Sequence, residues 1–323
     1  MRSLVSLVAA AVALAATPAL AQDCDWTPER AVTYVVPWGA GGGTDANSRM
    51  LASLLEKKFG VPFNVVNRTG GNGVTGHSAI AHAAPDGYTV GAVTVEINTM
   101  HHVGLTDMTR EDITPIALVD IVPASVLVKA DSEYETLEDL LAAAKANPGS
   151  LTASGTSQGG IWHLALAGLL NAEGMDPAAI RWIPSKGAAP AMQELMAGGV
   201  DVATPALSEG KALVEQGELK ALAYMHTDRM KALPDVPTTA EVLDSGWTLA
   251  AWITISGPGG LPDDITCSYE KAVLEIVDTP EWAEFKASRG ADVVKMGSDE
   301  LAAYMEKSDA ALGSTIQAIG LAK

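Results

Sequence analysis

Basic residues are scarce in this chain of 323 residues: 21 lysines and arginines stand against 39 aspartates and glutamates, giving a formal net charge of −18 at pH 7. Nucleic-acid binding needs clustered Lys and Arg, which the sequence lacks, so we exclude a nucleic-acid partner. Beyond the first residues no run of about 20 apolar residues occurs, and we expect no later membrane span. The composition, 48% hydrophobic and 19% charged, is that of a globular protein long enough for two domains.

Cysteine and histidine are also few, with 2 and 6 residues respectively, and no group of them has the spacing of a metal site. His101 and His102 are adjacent, and in an extended chain their rings would point in opposite directions, so we expect no metal there. Cys24 and Cys267 either form one long-range disulfide or remain two thiols, and the sequence leaves both readings open. No dinucleotide or Walker motif is complete, so we expect no cofactor.

The first 21 residues have the pattern of a cleaved secretory signal peptide. Arg2 supplies positive charge, residues 4–16 form an apolar segment, and Ala19-Leu20-Ala21 fits the small-residue cleavage rule. The mature chain is therefore expected to begin at Gln22 and to be exported to the periplasm.

Apolar segments alternate with helical periodicity along most of the remaining chain, which predicts an α/β fold. The clearest unit joins a predicted strand, Val32 to Pro37, to a helix through the glycine-rich loop 38–45. Glycines let the main chain approach a ligand closely, and the free N–H groups of the first helical turn favour a carboxylate or phosphate. This loop is a candidate anion site, although a glycine-rich turn without a ligand has the same sequence.

A second strand–loop–helix unit follows about a hundred residues later. The predicted strand is Leu151 to Ser154, the loop is 155–160, and the helix is Trp162 to Ala172. Before it, Thr136 and Asp139 have the spacing of a capping box; after it, a strand at Val200 to Thr204 leads into a helix at Ser208 to Gln216. Open α/β sheets bind ligands at the carboxyl ends of their strands, so two such loops suggest two lobes that face one cleft.

Several segments resemble the Bug family, the solute-binding receptors of tripartite tricarboxylate transporters. They are VVPWGAGGGTD (35–45), VNRTGGNG (66–73), PDGYT (85–89), SGT (154–156) and LPDVPT (233–238). The resemblance implies a two-lobed periplasmic-binding-protein type II fold with the ligand cleft between the lobes. We expect lobe 1 to comprise residues 22–123 and 247–323, and lobe 2 to comprise residues 124–246.

The resemblance also implies a non-enzymatic receptor that binds a small organic acid and delivers it to membrane permease subunits. Citrate and C4–C6 or aromatic dicarboxylates are the candidate ligands, and a monomer is expected. In this family, main-chain amides of both loops hold one carboxylate. Matched residue by residue, this places Gly42, Gly43, Thr44 and Asp45 on one side and Ser154, Gly155, Thr156 and Ser157 on the other.

Further candidate ligand-binding residues flank these loops or lie at the far end of the cleft. They are Trp38, Gly39, Ala40, Glu96, Asn98, Gln158, His163, Lys186 and Gly187. Lys186 could pair with a second carboxylate. Against these roles, Asp45 more readily caps its helix or holds a water, His163 is typically bonded locally, and a loop lysine is ordinarily solvated.

The alternative prediction is a secreted serine esterase. The segment Gly155-Thr156-Ser157-Gln158-Gly159 satisfies the G-x-S-x-G pattern of a nucleophile elbow between a strand and a helix. Asp201 and His226 follow the serine in the required order, and Gly41 to Gly43 could serve as an oxyanion loop. A pattern with three fixed positions arises often by chance, so we favour the receptor.

Overall fold

The computed structural model describes residues 24–323, and the predicted signal peptide lies outside the described residues. The strands form two five-stranded sheets. The first sheet contains β1 (Val32–Val36), β2 (Phe63–Asn67), β3 (Thr89–Thr94), β4 (Ile113–Pro123) and β10 (Ala250–Pro258), in the order β2-β1-β3-β10-β4. The second contains β5 (Ser125–Lys129), β6 (Thr152–Ser154), β7 (Arg181–Trp182), β8 (Val202–Ala203) and β9 (Leu219–Tyr224), in the order β7-β6-β8-β5-β9.

Two connections join the sheets, one directly from β4 to β5 and one from β9 back to β10. Strand β10 inserts between β3 and β4 and runs antiparallel to both, whereas β1 is parallel to β2 and β3. The predicted α/β fold with two lobes is confirmed. The exact lobe boundaries stay a prediction, although the strands of each sheet fall inside the expected ranges.

Ten α-helices accompany the two sheets within residues 24–323. They are α1 (Gly43–Phe59), α2 (Val74–Ala81), α3 (Leu137–Ala146), α4 (Ile161–Ala172), α5 (Ala188–Met196), α6 (Leu207–Glu215), α7 (Thr239–Val242), α8 (Asp263–Val277), α9 (Pro280–Ser288) and α10 (Ser298–Ala318). The Thr136 capping box opens α3 as expected, with reciprocal bonds to Asp139. None of the helices in this part of the chain is long and apolar enough to cross a membrane.

The largest apolar core extends across both lobes. It joins residues of β3 and α10 in the first lobe to residues of β5 and α4 in the second. Helix α10 packs against β4 and also against α4. Apolar contact between these elements therefore holds the lobes together behind the cleft.

A disulfide joins Cys24 to Cys267 in α8, with the Cα atoms 5.3 Å apart and a sequence separation of 243. Of the two readings that the sequence left open, the structure has the bonded one. The bond attaches the first described residue to the first lobe.

Removing this disulfide in a Cys24→Ser, Cys267→Ser variant should lower the free energy of unfolding by about 2–4 kcal/mol, because the cross-link restricts the unfolded chain. Urea unfolding followed by tryptophan fluorescence measures the change. Reducing agent should lower the urea midpoint of the wild type and leave that of the variant unchanged. A wild-type midpoint that is the same with and without reducing agent would contradict the assignment.

Candidate functional site

A cavity of about 280 Å³ lies between the lobes, where the carboxyl ends of β1, β3 and β6 are followed by loops. It is lined from the first lobe by the loop after β1 and from the second by the loops after β6 and β7. Helix α6 and the end of α9 complete the wall. Both glycine-rich loops of the sequence therefore meet at one cavity.

Many of the predicted site residues line this cavity: Trp38, Gly39, Ala40, Gly42, Gly43, Thr44, Glu96, Thr156, Lys186 and Gly187. The others lie outside the lining: Asp45, Asn98, Ser154, Gly155, Ser157, Gln158 and His163. Asn98 is buried and donates to Met305 O of α10 at 2.7 Å, whereas Gln158 is exposed. Their roles toward a ligand stay predictions.

Asp45 holds the first glycine-rich loop in place from behind. It is buried, and its Oδ2 accepts hydrogen bonds from Gly41 N and Arg49 Nε, both at 2.9 Å, while Oδ1 accepts from Asn67 Nδ2 at 2.8 Å. Burial acts to raise the pKa of Asp45, but these hydrogen bonds and the charge of Arg49 outweigh it and lower the pKa below its usual value. Both oxygens of this carboxylate are thus engaged in hydrogen bonds that fix the loop.

The second loop is fixed by tight packing and local bonds. Ser154 Oγ donates to Ile183 O at 2.8 Å, and His163 Nδ1 accepts from Gly159 N at 3.0 Å. Burial lowers the pKa of His163 to about 4, so the ring is neutral at pH 7 and keeps this acceptor. A Cβ on Gly155 would lie 2.6 Å from Cβ of Trp162, so only glycine fits there.

Thr156 has an unpaired hydroxyl at the cavity wall. The residue is 5% exposed, and its buried Oγ1 has no hydrogen-bond partner within residues 24–323. A buried hydroxyl without a partner is uncommon in folded proteins and costs free energy. Since Thr156 lines the cavity, this hydroxyl is a candidate donor to a ligand there.

A chain of hydrogen bonds positions Glu96 and Trp38 at the opposite wall. His77 Nδ1 contacts Gly73 O at 2.8 Å, and its Nε2 accepts from Thr94 N at 3.0 Å. Thr94 Oγ1 in turn donates to Glu96 Oε2 at 2.6 Å and accepts from Trp38 Nε1 at 3.1 Å. This pattern assigns His77 the neutral tautomer that carries its proton on Nδ1.

Each lobe supplies a glutamate that contacts the N-terminus of a helix in the other lobe, and both of these helices have glycine as the N-cap. Glu96 of the first lobe interacts with the main-chain amide of Ile161, the first residue of α4. Glu209 of α6 interacts with the amide of Gly43, the first residue of α1, and a Cβ on Gly43 would lie 3.3 Å from Glu209 Oε1. Both carboxylates line the cavity. The chain's own acids thus face both predicted anion sites.

The cavity raises the pKa of both carboxyls. Burial is the main cause in each case, and the hydrogen bonds from Thr94 and Ile161 oppose it at Glu96. At Glu209 the amide of Gly43 and the charge of Arg289 oppose the effect of burial, whereas the charge of Asp120 adds to it. Both side chains therefore take up a proton more readily than exposed glutamates do.

A buried ion pair supports the first loop from below. Lys286 Nζ of α9 contacts Asp120 Oδ1 of β4, and both residues are at most 2% exposed. Asn47 Nδ2 donates to Asp120 Oδ2 at 3.0 Å and to Gly43 O at 2.9 Å. Burial raises the pKa of Asp120 and lowers that of Lys286, while the attraction between the two charges opposes both shifts.

Three further residues that line this cavity were not predicted from the sequence: Ser208 and Glu209 of α6, and Arg289 at the end of α9. The signal for α6 was present, because its predicted helix follows a strand whose carboxyl end faces the cleft. Arg289 had no such signal, since α9 reaches the cavity only through the packing of the C-terminal helices against the first sheet.

The family model described as "Tripartite tricarboxylate transporter family receptor", TctC, matches residues 48–321 of the chain. The chain belongs to this family. Bordetella pertussis BugT is 30% identical to this TctC-family receptor over 289 residues, which cover 88% of the chain and 87% of BugT. These findings confirm the resemblance seen in the sequence.

Solved structures agree with this TctC assignment. An R. palustris protein solved with adipate is 28% identical, with a TM-score of 0.85 over 92% of this chain and 99% of that one. MatC from Rhodopseudomonas palustris, solved with bound malate, is 25% identical, with a TM-score of 0.82 over 90% of this chain and 99% of that one.

The esterase alternative is not supported. Ser157 does not line the cavity, and Asp201 accepts hydrogen bonds from Thr152, whereas His226 bonds to Asp228. Among the described residues no hydrogen bond joins these three side chains into a triad. The family is one of receptors, and its solved neighbours include a TctC solute binding protein from Polaromonas and the periplasmic binding protein BugD.

His77 should make the stability of this receptor depend on pH. Burial lowers the pKa of His77 to about 4 in the folded state, whereas an unfolded histidine titrates near 6.5. The unfolded chain therefore binds a proton first, and the free energy of unfolding should fall as the pH drops from about 6.5 to 4, by about 3 kcal/mol from this group.

The comparison of wild type with His77→Gln isolates this effect, because His163 contributes in the same direction in both proteins. The difference between the two free energies of unfolding, measured in urea at several pH values, should shrink as the pH falls through this window. Parallel pH profiles would contradict the assignment.

Proposed function

We propose that this receptor is a periplasmic monomer that binds a small dicarboxylate in the cavity between its lobes and presents it to permease subunits of its transporter. The observation that carries the proposal is the buried, unpaired hydroxyl of Thr156, a residue that lines the cavity beside the first turn of α4. A buried hydroxyl without a hydrogen-bond partner destabilises the unliganded protein. This cost is recovered when a ligand carboxylate accepts its hydrogen bond.

Two helix N-termini supply the remaining donors. The N-cap residues of α1 and α4 are Gly42 and Gly160, and glycine has no side chain that could cap the helix. No N-cap side chain therefore competes for the first-turn N–H groups, which face Glu209 and Glu96, and the helix dipoles favour negative charge at the same place. Closing the lobes around a carboxylate excludes water and strengthens these charge-assisted hydrogen bonds.

Lys186 supports a second carboxylate on the ligand. It lines the cavity, it is exposed, and it takes part in no ion pair among residues 24–323. Arg289 lies on another wall, near Glu209. Two cationic side chains and two helix N-termini suit an acid with two negative ends, and two of the solved neighbours carry malate and adipate, which are such acids.

Glu209 sets a condition on binding in this scheme. Its carboxylate occupies the neighbourhood of the Gly43 amide that a ligand carboxylate would use. Two negative groups cannot share one helix N-terminus without repulsion. Glu209 therefore gives way to the ligand, either by turning aside or by taking up a proton. The receptor thus exchanges an internal carboxylate for an external one.

Thermal shift with a panel of organic acids tests the function as a whole. A ligand present at about a hundred times its Kd should stabilise the mature protein by roughly 2.7 kcal/mol. Adipate, malate, succinate, citrate and terephthalate should include at least one that raises the melting temperature, and the matching monoamides should not. A response confined to amines or neutral sugars would overturn the proposal.

Thr156→Val should separate ligand binding from folding. Valine has nearly the same shape and cannot donate, so the affinity for the stabilising acid should fall about tenfold or more, as expected for a hydrogen bond to a charged group. The melting temperature without ligand should stay the same or rise, since the hydroxyl has no partner to lose. Isothermal titration calorimetry and thermal unfolding provide the two measurements.

Ser157→Ala is the matched control for this variant, because Ser157 is the next residue, is half-buried and does not line the cavity. Its affinity should equal that of the wild type. Equal losses in both variants would mean that the loop as a whole was disturbed. Ester hydrolysis that disappears in Ser157→Ala would support the enzyme instead.

Glu209→Gln should tighten binding of the same acid about fivefold at pH 7–8, because glutamine keeps the shape and removes the competing charge. Calorimetry measures the affinities. Glu215→Gln is the control, since Glu215 lies on the same helix but pairs with Lys211 on the surface. A large loss of affinity in Glu209→Gln would instead show that Glu209 binds a positive or hydroxyl group of the ligand.

A further inference from the structure

Two histidines and an aspartate converge on the first lobe, away from the cavity lining. Residues 99–104 form a series of turns after the short 3₁₀ segment Val95–Asn98, and α10 packs against that segment. His102 Nε2 lies 3.1 Å from Asp309 Oδ1, and His101 Nε2 lies 3.2 Å from the same oxygen. The ligand atoms of the three side chains all lie within 4.8 Å of one another.

The expectation that the two adjacent rings point in opposite directions is wrong. It assumed an extended chain, whereas the turns at 99–104 bring both rings to one side, with centroids 4.0 Å apart. Asp309 comes from a helix more than two hundred positions away in sequence, so no local spacing could have indicated the cluster.

We propose that His101, His102 and Asp309 bind a divalent transition-metal ion of the Zn²⁺ type. Imidazole nitrogen and carboxylate oxygen are ligands that such ions prefer, with bonds of about 2.0–2.2 Å. Two ligands at that distance from a tetrahedral ion lie about 3.3 Å apart. The two N–O separations match this edge, and no pair of the ligand atoms is more than 4.8 Å apart, so side-chain rotations would bring all three onto one ion.

The charge and access of the cluster suit a cation. The exposed fractions of the three side chains are 18%, 30% and 25%, so the site is shielded and still open to solvent on one side. Three protein ligands leave a fourth position for water. His101 Nδ1 is buried without a partner in residues 24–323, so hydrogen bonding within the described chain leaves this ring only partly satisfied.

The ion would clamp α10 to the turns at 99–104. The main chain already links the segment after α10 to these turns, from Lys323 N to His102 O at 3.0 Å. Within α10, Ser308 next to Asp309 accepts a hydrogen bond from Trp252 Nε1 at 3.0 Å. Helix α10 also packs on α4 of the second lobe. Metal binding should therefore stabilise the C-terminal helix in its packed position, independently of any carboxylate ligand.

Calorimetry with ZnCl₂ tests the site on the mature protein, produced without a histidine tag and treated with EDTA. We expect one ion per chain, a rise in melting temperature with Zn²⁺, and at least a tenfold loss of affinity in His101→Gln, His102→Gln and Asp309→Asn. His226→Gln is the matched control, because His226 lies next to a single aspartate, Asp228, at 4.0 Å and should bind nothing comparable.

Cobalt keeps the test decisive if a variant fails to fold. Co²⁺ added to the wild type should give the intense visible absorption of a four- or five-coordinate site, and Zn²⁺ should remove it. Absence of stoichiometric binding, or binding that survives in Asp309→Asn, would overturn the proposal and leave a hydrogen-bonded His–Asp–His cluster. Neither outcome depends on organic-acid binding, so failure here is distinct from failure of the proposed function.

Discussion

Free main-chain N–H groups at the first turns of α1 and α4 are the constraint on which the rest of the cleft depends. Glycine at each N-cap leaves these groups without a cap from the N-cap residue itself, and the fold brings the two helices to one cavity from different lobes. Buried polar groups must find a partner. In the structure each helix start faces a glutamate from the other lobe, and in the proposed function a ligand carboxylate takes over that contact.

Hydrogen bonds from neighbouring residues fix the conformation of the first glycine-rich loop. Asp45 and Asn67 fix the loop to β2, and Asn47 ties the first residue of α1 to the Asp120–Lys286 pair. Breaking a buried pair by removing one partner typically destabilises a protein strongly. These polar side chains bond to one another and fix the wall of the cleft. In the proposed function the main-chain amides and Thr156 are therefore the groups that bind the ligand.

Local patterns in the sequence were sufficient for the two loops and their helices. The helix predicted from Trp162 to Ala172 spans Ile161–Ala172 in the structure, and the capping box at Thr136 is present with both bonds, because these features depend on neighbours within a few residues. The insertion of β10 between β3 and β4 depends instead on pairing between strands far apart in sequence. The two glycine-rich loops suggested two lobes, and the family resemblance supplied the specific two-lobed fold.

Long-range contacts also decided which polar residues reach the cavity. Glu209 lies on a helix that was predicted, but its meeting with Gly43 requires the two lobes to face each other across the cavity. Arg289 and the buried Lys286 come from α9, where nothing in the periodicity marks a lysine as buried. The meeting of His101 and His102 with Asp309 likewise required the turns at 99–104 and the packing of α10.

A crystal structure with a stabilising dicarboxylate tests the central claim most directly. The account predicts one carboxylate within hydrogen-bond distance of the amides at residues 43 and 44 and of Thr156 Oγ1, with the Glu209 carboxylate displaced from Gly43. A ligand that leaves Glu209 on Gly43, with its acid groups elsewhere, would contradict it.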